Sequence, residues 1–154
     1  MNQQTLTKTV QDIVRQAAAL KDKHTTEKSA PVNYACIFSQ SRDEYDDLNQ
    51  ACRKIGKVVQ ETKMGPVFLI KPMETISGAL RLLKIRAPDA TRPERGDADF
   101  TVPNYEEFKK KHLSKPGFKL IQREKMEMIE LMDSSFSVRA YFSHPTLGEV
   151  LGIL

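Results

Sequence analysis

The segment KVVQETKM at residues 57–64 is followed 62 positions later by KLIQREKM at residues 119–126. Both segments have Lys, Gln, Lys and Met at matching places, and both carry two apolar residues directly after the first lysine. Phe38 and Phe100 are separated by the same 62 residues. A repeat at one fixed spacing predicts two structural units of similar architecture.

The elements around the first segment make one such unit. VNYACIFS at residues 32–39 is a short apolar run typical of a buried strand. Ser41 and Glu44 then have the spacing of a capping box, which predicts the start of a helix. Gly56 follows the last helical turn, where a left-handed residue is expected. Three further strands are predicted at residues 57–63, 67–71 and 79–87.

The second unit repeats this order after a joint rich in proline and charge at residues 87–97. A strand at residues 98–102 precedes a helix that Asn104 can cap, and strands are predicted at 119–125, 128–132 and 136–144. The sequence therefore predicts an α+β fold. Residues 31–154 form one domain of two βαβββ modules, at 31–88 and 97–145, with a C-terminal tail.

A helix is predicted before the first module. Its apolar residues recur at helical spacing within residues 4–22, namely Leu6, Val10, Ile13, Val14, Ala17 and Leu20. The polar run KDKHTTEKSA at residues 21–30 then breaks the pattern. Residues 1–30 are therefore interpreted as a helix and a linker, with the helix packing either on the main body or on a second protomer.

Composition sets limits on function. The chain of 154 residues has 24 basic and 20 acidic residues, so its net charge is only +4, and the charges are interspersed. This argues against a dedicated nucleic-acid binder. No apolar run approaches the roughly 20 residues needed to cross a bilayer, and the first 12 residues lack the apolar core of a signal peptide. A cytoplasmic protein without a membrane partner is expected. Cys36 and Cys52 are predicted to be small buried side chains without a disulfide.

The order and length of these elements resemble the vicinal oxygen chelate superfamily, the group of glyoxalases and extradiol dioxygenases. The resemblance covers residues 31 to about 145. It implies that the two modules form a curled, mixed or antiparallel sheet that encloses a cleft. It also implies a divalent metal in that cleft, held by His and Glu side chains from the first and fourth strands of each module.

This chain departs from the family at several of those positions. The first module offers no His or Glu there, because the corresponding residues are Tyr34 or Cys36 and Lys84 or Arg86. The second module and the tail provide the remaining metal-ligand candidates, Asp99, His144 and Glu149. A catalytic divalent metal needs about three protein ligands. We therefore expect a degraded metal site.

Charged residues on the fourth strands suggest another use for the cleft. Lys84 and Arg86 are two positions apart and share one face of a strand, and Arg139 and Tyr141 form the analogous pair in the second module. A guanidinium group binds carboxylate or phosphate through two hydrogen bonds. The predicted ligand-binding residues are therefore Lys84, Arg86, Asp99, Arg139 and Tyr141. The alternative for this face is plain exposure to solvent.

Two classes of function follow. The first is a protein like those of the vicinal oxygen chelate superfamily that binds a small anionic or aromatic molecule, with a divergent isomerase, lyase or dioxygenase activity as one form of it. The alternative is a non-catalytic interaction module that forms a homodimer through the N-terminal helix and the apolar tail TLGEVLGIL at residues 146–154. Dinucleotide-binding, P-loop, HExxH zinc and nucleophile-elbow motifs are absent from the sequence.

Overall fold

The computed structural model describes residues 2–153, and within that range it has eight strands and four helices. The first module and the helix before it contain α1 (Gln3–His24), β1 (Val32–Phe38), α2 (Arg42–Arg53), β2 (Gly56–Thr62), β3 (Gly65–Thr75) and β4 (Gly78–Arg86). The second module and the tail contain β5 (Gly96–Phe100), α3 (Tyr105–His112), β6 (Phe118–Gln122), β7 (Glu127–Leu131), β8 (Val138–His144) and α4 (Leu147–Val150).

All eight strands belong to one mixed sheet in the order β2-β3-β4-β1-β5-β8-β7-β6. Within each module the first and last strands are parallel, β1 with β4 and β5 with β8, and the other pairs are antiparallel. The modules join through the antiparallel pair β1 and β5. The strand order is therefore symmetric about this strand pair, and the predicted α+β fold of two βαβββ modules is confirmed.

The sheet curls without closing. Its edge strands β2 and β6 do not pair with each other. Nevertheless, Gln60 of β2 and Arg123 of the turn between β6 and β7 line the same cavity as Tyr34 of the central strand β1. Neighbouring strands lie about 4.8 Å apart, so the two edges of a flat sheet of this size would be roughly 30 Å apart. The shared cavity therefore requires a curved sheet with a concave inner face.

The helix starts predicted from sequence are confirmed, but the role of Gly56 is not. The Ser41 side chain accepts a hydrogen bond from the Glu44 amide at 3.1 Å, and Asn104 accepts one from the Glu107 amide at 3.2 Å. Gly56 does not adopt a positive φ and is instead the first residue of β2. A Cβ atom at this position would lie 2.3 Å from the Leu69 carbonyl oxygen, so glycine is required by close packing of β2 against β3.

Helix α1 packs against the outer face of the sheet. Its apolar stripe is almost fully inaccessible to solvent and belongs to the same core as the strands and as helices α2 and α3. This stripe, for which a second protomer is one predicted partner, is therefore already covered within the chain. No helix among residues 2–153 is both long and apolar enough to span a membrane.

The two faces of the central strands differ in chemistry because successive side chains of a strand point to opposite sides. Outer-face residues such as Ile37, Ile85 and Phe142 pack into the apolar core beneath the helices. The residues between them face inward. The inner-face set of β1, β4, β5 and β8 is largely polar or charged: Tyr34, Cys36, Phe38, Leu82, Lys84, Arg86, Asp97, Asp99, Arg139, Tyr141 and Ser143.

Replacing Ile13 with alanine tests whether α1 is part of the folding unit. Ile13 is 1% exposed, so the change removes three buried carbon atoms and should lower the free energy of unfolding by about 2–4 kcal/mol. Urea unfolding followed by circular dichroism measures this. Lys8→Ala on an exposed position of the same helix is the control and should change stability by less than about 0.5 kcal/mol. An Ile13→Ala protein as stable as the control would mean that the helix is a dispensable attachment.

Candidate functional site

Strand register brings the polar inner-face residues into two adjacent rows. In the first row, Lys84 lies beside Cys36, Cys36 beside Asp97, and Asp97 beside Arg139. In the second row, Tyr34 lies beside Asp99, Asp99 beside Tyr141, and Tyr141 beside Glu130. The five residues predicted to bind a ligand therefore share the inner face of the sheet.

A cavity of about 420 Å³ lies over the part of these rows that contains Tyr34, Lys84 and Asp99. Its polar lining includes Tyr34, Lys84 and Asp99, which come from the three neighbouring strands β1, β4 and β5. Val67, Met126, Met128, Leu147 and Val150 provide an apolar wall. This volume is within the range of roughly 300–1,000 Å³ found for small-molecule sites, which combine an apolar lining with a few polar groups.

Asp99 is a buried carboxylate held in a fixed orientation. Its Oδ1 atom accepts hydrogen bonds from Asn33 Nδ2 at 3.2 Å and from the Ser143 backbone amide at 3.1 Å. Its Oδ2 atom accepts a hydrogen bond from the Ser143 hydroxyl group. Burial raises the pKa of Asp99 to about 6, although the hydrogen bonds from Ser143 and Asn33 act in the opposite direction. Asp99 is therefore still mainly ionised at neutral pH.

Asp97 is a second buried carboxylate on the same face, two residues before Asp99. It is 8% exposed, and no hydrogen bond to its carboxyl group is formed by the residues that the structure describes. Burial and the Asp99 carboxylate together raise the pKa of Asp97 to about 7, against the lowering effect of nearby Arg92, Lys84 and Arg139. Asp97 thus carries a proton in a large fraction of molecules at neutral pH.

Lys84 is the cation at the cavity floor. Within residues 2–153 its ammonium group has neither a hydrogen bond nor an ion pair. Partial burial lowers the pKa of Lys84 below its ordinary value. A cation that is partly removed from water and has no partner retains its full capacity to bind an anion.

Tyr34 of β1 also lies at the cavity floor, and Cys36 of the same strand is buried beside Lys84 outside the cavity lining. Burial raises the pKa of the Tyr34 hydroxyl group and of the Cys36 thiol well above their ordinary values. Both therefore stay protonated at neutral pH, and Cys36 is not an activated nucleophile. Tyr34 remains available as a hydrogen-bond donor.

Arg139 and Tyr141, two of the predicted ligand-binding residues, are already bound to acidic side chains. Arg139 Nε donates to Glu94 Oε1 at 2.9 Å, and Arg139 Nη1 donates to Glu130 Oε2 at 3.2 Å. The Tyr141 hydroxyl group donates to the same Glu130 oxygen at 2.7 Å. Neither residue lines the cavity, and both are engaged with acidic side chains, so Lys84 is the better candidate for binding an anion.

Arg86 is also partnered. Its Nη2 atom donates to Asp89 at 3.2 Å, and its guanidinium group lies 5.9 Å from the centre of the Phe38 ring. Arg92 lies over the same ring at 5.8 Å. Arg95, in the same joint, binds both oxygens of Glu44. The arginines at this end of the sheet therefore hold the joint between the modules in place.

The three metal-ligand candidates do not converge. Asp99 faces the cavity, but exposed His144 stacks on Tyr105 with 5.2 Å between ring centres. Glu149 accepts a hydrogen bond from the Thr146 amide at 3.1 Å and completes the capping box of α4. Within residues 2–153, no group of three His, Cys, Asp or Glu side chains is arranged to hold a metal ion. These residues do not fit the metal centre that the family resemblance implies.

Some site residues were not predicted from the sequence. Asp97 ends the charged segment 87–97, whose composition predicts a loop, yet β5 begins at Gly96. In the sequence, Tyr34 is notable only as a position where the family's metal ligand is missing. The T-x-x-E pattern of Thr146 and Glu149 is a capping-box signal that could have excluded Glu149 as a metal ligand.

Comparison with known proteins gives a fold relative only. No family model matches this chain, and no curated protein matches it. One solved structure, named Structural Genomics, Protein EC4020, is similar with a TM-score of 0.69 and 12% sequence identity. The match covers 92% of this chain and 88% of that protein. At this level of identity the similarity shows a shared α+β fold.

Proposed function

We propose that this protein is a divergent relative of the vicinal oxygen chelate superfamily that binds a small anionic molecule with an apolar or aromatic body. The observation that carries this proposal is the unpaired ammonium group of Lys84 at the floor of a cavity of about 420 Å³. A carboxylate of the ligand would supply the partner that Lys84 lacks. The rest of the ligand would lie against the apolar wall formed by Met128, Leu147 and Val150.

The other charged groups of the inner face support this assignment. Arg139 and Arg86 are bound to acidic side chains, so an anion would gain less from them than from Lys84. The positions where the family places metal ligands carry Tyr34, Lys84 and Asp99, which favours hydrogen bonding and charge recognition over metal binding. An enzyme with this lining would use proton transfer.

The interaction-module alternative receives less support. It requires the apolar stripe of α1 to contact a second copy, yet residues such as Val10 and Leu20 are fully buried against the sheet. It also requires the cleft to be filled by the protein's own side chains. A homodimer formed through another surface remains compatible with the small-molecule proposal.

Replacing Lys84 with methionine tests the proposal. Three probes are titrated into the protein at low ionic strength: benzoate, phenylpyruvate and 2-oxobutyrate. Binding is followed by NMR chemical shifts of amides in β1, β4 and β5. A hydrogen bond to a charged group contributes about 1.5–3 kcal/mol, so the variant should bind the preferred probe about 10- to 100-fold more weakly.

Lys57→Met provides the matched control. Lys57 is an exposed lysine of β2 outside the cavity lining, so its loss removes the same net charge and should leave affinity nearly unchanged. Equal weakening by both variants would indicate only a general charge effect. Absence of shifts at the cavity with all three probes would contradict the proposed function.

A further inference from the structure

The turn between β6 and β7 adds two cations to the cavity lining. Arg123 and Lys125 line the same cavity as Lys84, and both of their side chains are exposed. The Arg123 backbone amide donates to the Met126 carbonyl oxygen at 2.8 Å, which closes the turn. Residues 123–125 therefore form a charged rim of the cavity on a short, hydrogen-bonded hairpin.

The two cations of the rim have no acidic partner of their own. Glu127, the first residue of β7, accepts hydrogen bonds from Lys109 Nζ at 2.9 Å and from the Tyr105 hydroxyl group at 2.7 Å. Within residues 2–153, neither Arg123 nor Lys125 forms an ion pair. The rim therefore carries positive charge that is available to a molecule in the cavity.

The curvature of the sheet places the rim and the floor at one cavity. Lys84 lies on β4, and the sheet order separates β4 from β7 by the three strands β1, β5 and β8. In a flat sheet the spacing between β4 and β7 would be about 19 Å. All three cations nevertheless line one cavity of about 420 Å³. One cation therefore comes from the first module, and two come from the second.

Two carboxylates in the same lining limit where anionic groups can bind. Asp99 lies on β5 at the floor, and Glu124 lies between Arg123 and Lys125 in the turn. Like charges repel, so a second anionic group on the floor beside Asp99 is disfavoured. Glu124 is exposed to water and salt and has a cation on either side in the sequence, so its repulsion is weak. The charges therefore favour two anionic groups that lie apart, one at the floor and one at the rim.

We propose that the ligand of this protein is a dianion in which an apolar spacer separates two anionic groups such as carboxylates. Lys84 binds one group at the floor, and Arg123 and Lys125 bind the other at the rim. A guanidinium group binds a carboxylate through two hydrogen bonds. Met126 and Met128 of the cavity lining would contact the spacer. This inference rests on the proposed function, because it adds a second contact to a ligand that Lys84 already holds.

Three para-substituted benzoates of nearly equal size test the second contact. Terephthalate carries a second carboxylate, 4-carbamoylbenzoate carries a neutral amide at that place, and 4-(aminomethyl)benzoate carries an ammonium group. Each probe is titrated at low ionic strength and followed by NMR shifts of the amides in β4 and in residues 122–127. Terephthalate has two equivalent ends, so about a twofold advantage is purely statistical. Beyond that factor it should bind about 3- to 10-fold more tightly than the amide probe, as expected for exposed charge pairs.

The double variant Arg123→Met/Lys125→Met should remove this advantage and leave the affinity for 4-carbamoylbenzoate unchanged within about twofold. The matched control is Arg53→Met/Lys54→Met, which removes two exposed cations of the same types outside the cavity lining. It should keep the full advantage of terephthalate. Glu124→Gln should increase the advantage by about two- to threefold, because it removes the opposing charge from the rim.

Salt provides a measurement that needs no variant. The rim is exposed, so raising the ionic strength to about 0.15 M should reduce the advantage of terephthalate over the amide probe by at least about half. An advantage that salt leaves unchanged would contradict a second contact made by exposed cations.

The outcomes separate this inference from the function on which it rests. Equal binding of terephthalate and the amide probe after the statistical correction overturns the dianion, as does tightest binding of the ammonium probe. An advantage that survives in Arg123→Met/Lys125→Met overturns the role of the rim. In each of these cases, binding that is lost in Lys84→Met leaves the proposed function standing. Absence of cavity shifts with all the probes overturns both.

Discussion

Arg139→Met is expected to lower the free energy of unfolding by about 3–5 kcal/mol, the cost of removing one partner from a buried ion pair. Arg139 is 9% exposed and forms ion pairs with Glu130, which is 6% exposed, and with Glu94. Methionine would preserve most of the packing of the side chain. Among residues 2–153, the Glu130 carboxylate would then keep only the Tyr141 hydroxyl group as a partner. The buried Asp97 would also lose a nearby positive charge.

Urea unfolding at pH 7 measures the effect. Arg81→Met serves as the control, since Arg81 is an exposed arginine on strand β4 and forms no ion pair with the residues described. Adding Glu130→Gln to Arg139→Met should recover at least about 1 kcal/mol, because the uncompensated charge is then removed. If Arg139→Met costs less than about 1 kcal/mol, the Glu94–Arg139–Glu130 network is not a significant source of stability.

Asp97→Asn is expected to stabilise the protein at alkaline pH and to have little effect at acidic pH. The pKa of Asp97 is about 7 in the folded protein against an ordinary value of 3.8, so the folded state binds this proton more strongly than the unfolded state. The stabilisation that protonated Asp97 gives the folded state is therefore complete below about pH 4. It decreases as the pH rises towards 7 and is absent above that pH. The difference between the two pKa values corresponds to roughly 4 kcal/mol in the free energy of unfolding.

Asparagine is neutral at every pH and removes this dependence. At pH 8 the variant should be more stable than wild type by about 2–4 kcal/mol, a rise in Tm of roughly 5–10 °C for a chain of this size. Calorimetry at pH 4, 6 and 8 gives the difference between variant and wild type, in which the titration of other carboxylates cancels. A variant that is less stable than wild type at pH 8 would show that Lys84, Arg92 and Arg139 hold Asp97 in its ionised form.

The repeat in the sequence predicted the module order because part of it reflects real structural equivalence. Lys57 and Lys119 occupy matching places in β2 and β6, each the second residue of its strand and each paired with the next strand along the chain. Phe38 and Phe100 have the same spacing but are not equivalent. Phe100 is in the apolar core, whereas Phe38 lies on the inner face under Arg86 and Arg92.

The site was less predictable because its chemistry depends on contacts between distant segments. Strand alternation places Arg139 and Tyr141 on the inner face, as expected from the sequence. Both residues bind Glu130 because of the register of β7 against β8. The contact of Arg139 with Glu94 depends instead on the path of residues 87–97 between the modules. No local pattern indicates which of several basic residues is left without a partner, so Lys84 could not be distinguished from Arg86 beforehand.

The symmetric strand order about β1 and β5 supports a lining that is not symmetric. On the cavity floor the first module contributes the positive group Lys84, and the second contributes the negative group Asp99. A molecule on this floor would therefore meet a cation on strand β4 and a carboxylate on strand β5. Such a lining favours one orientation of an asymmetric ligand. Orientation-specific binding can therefore arise from a duplicated fold whose two halves have the same strand order.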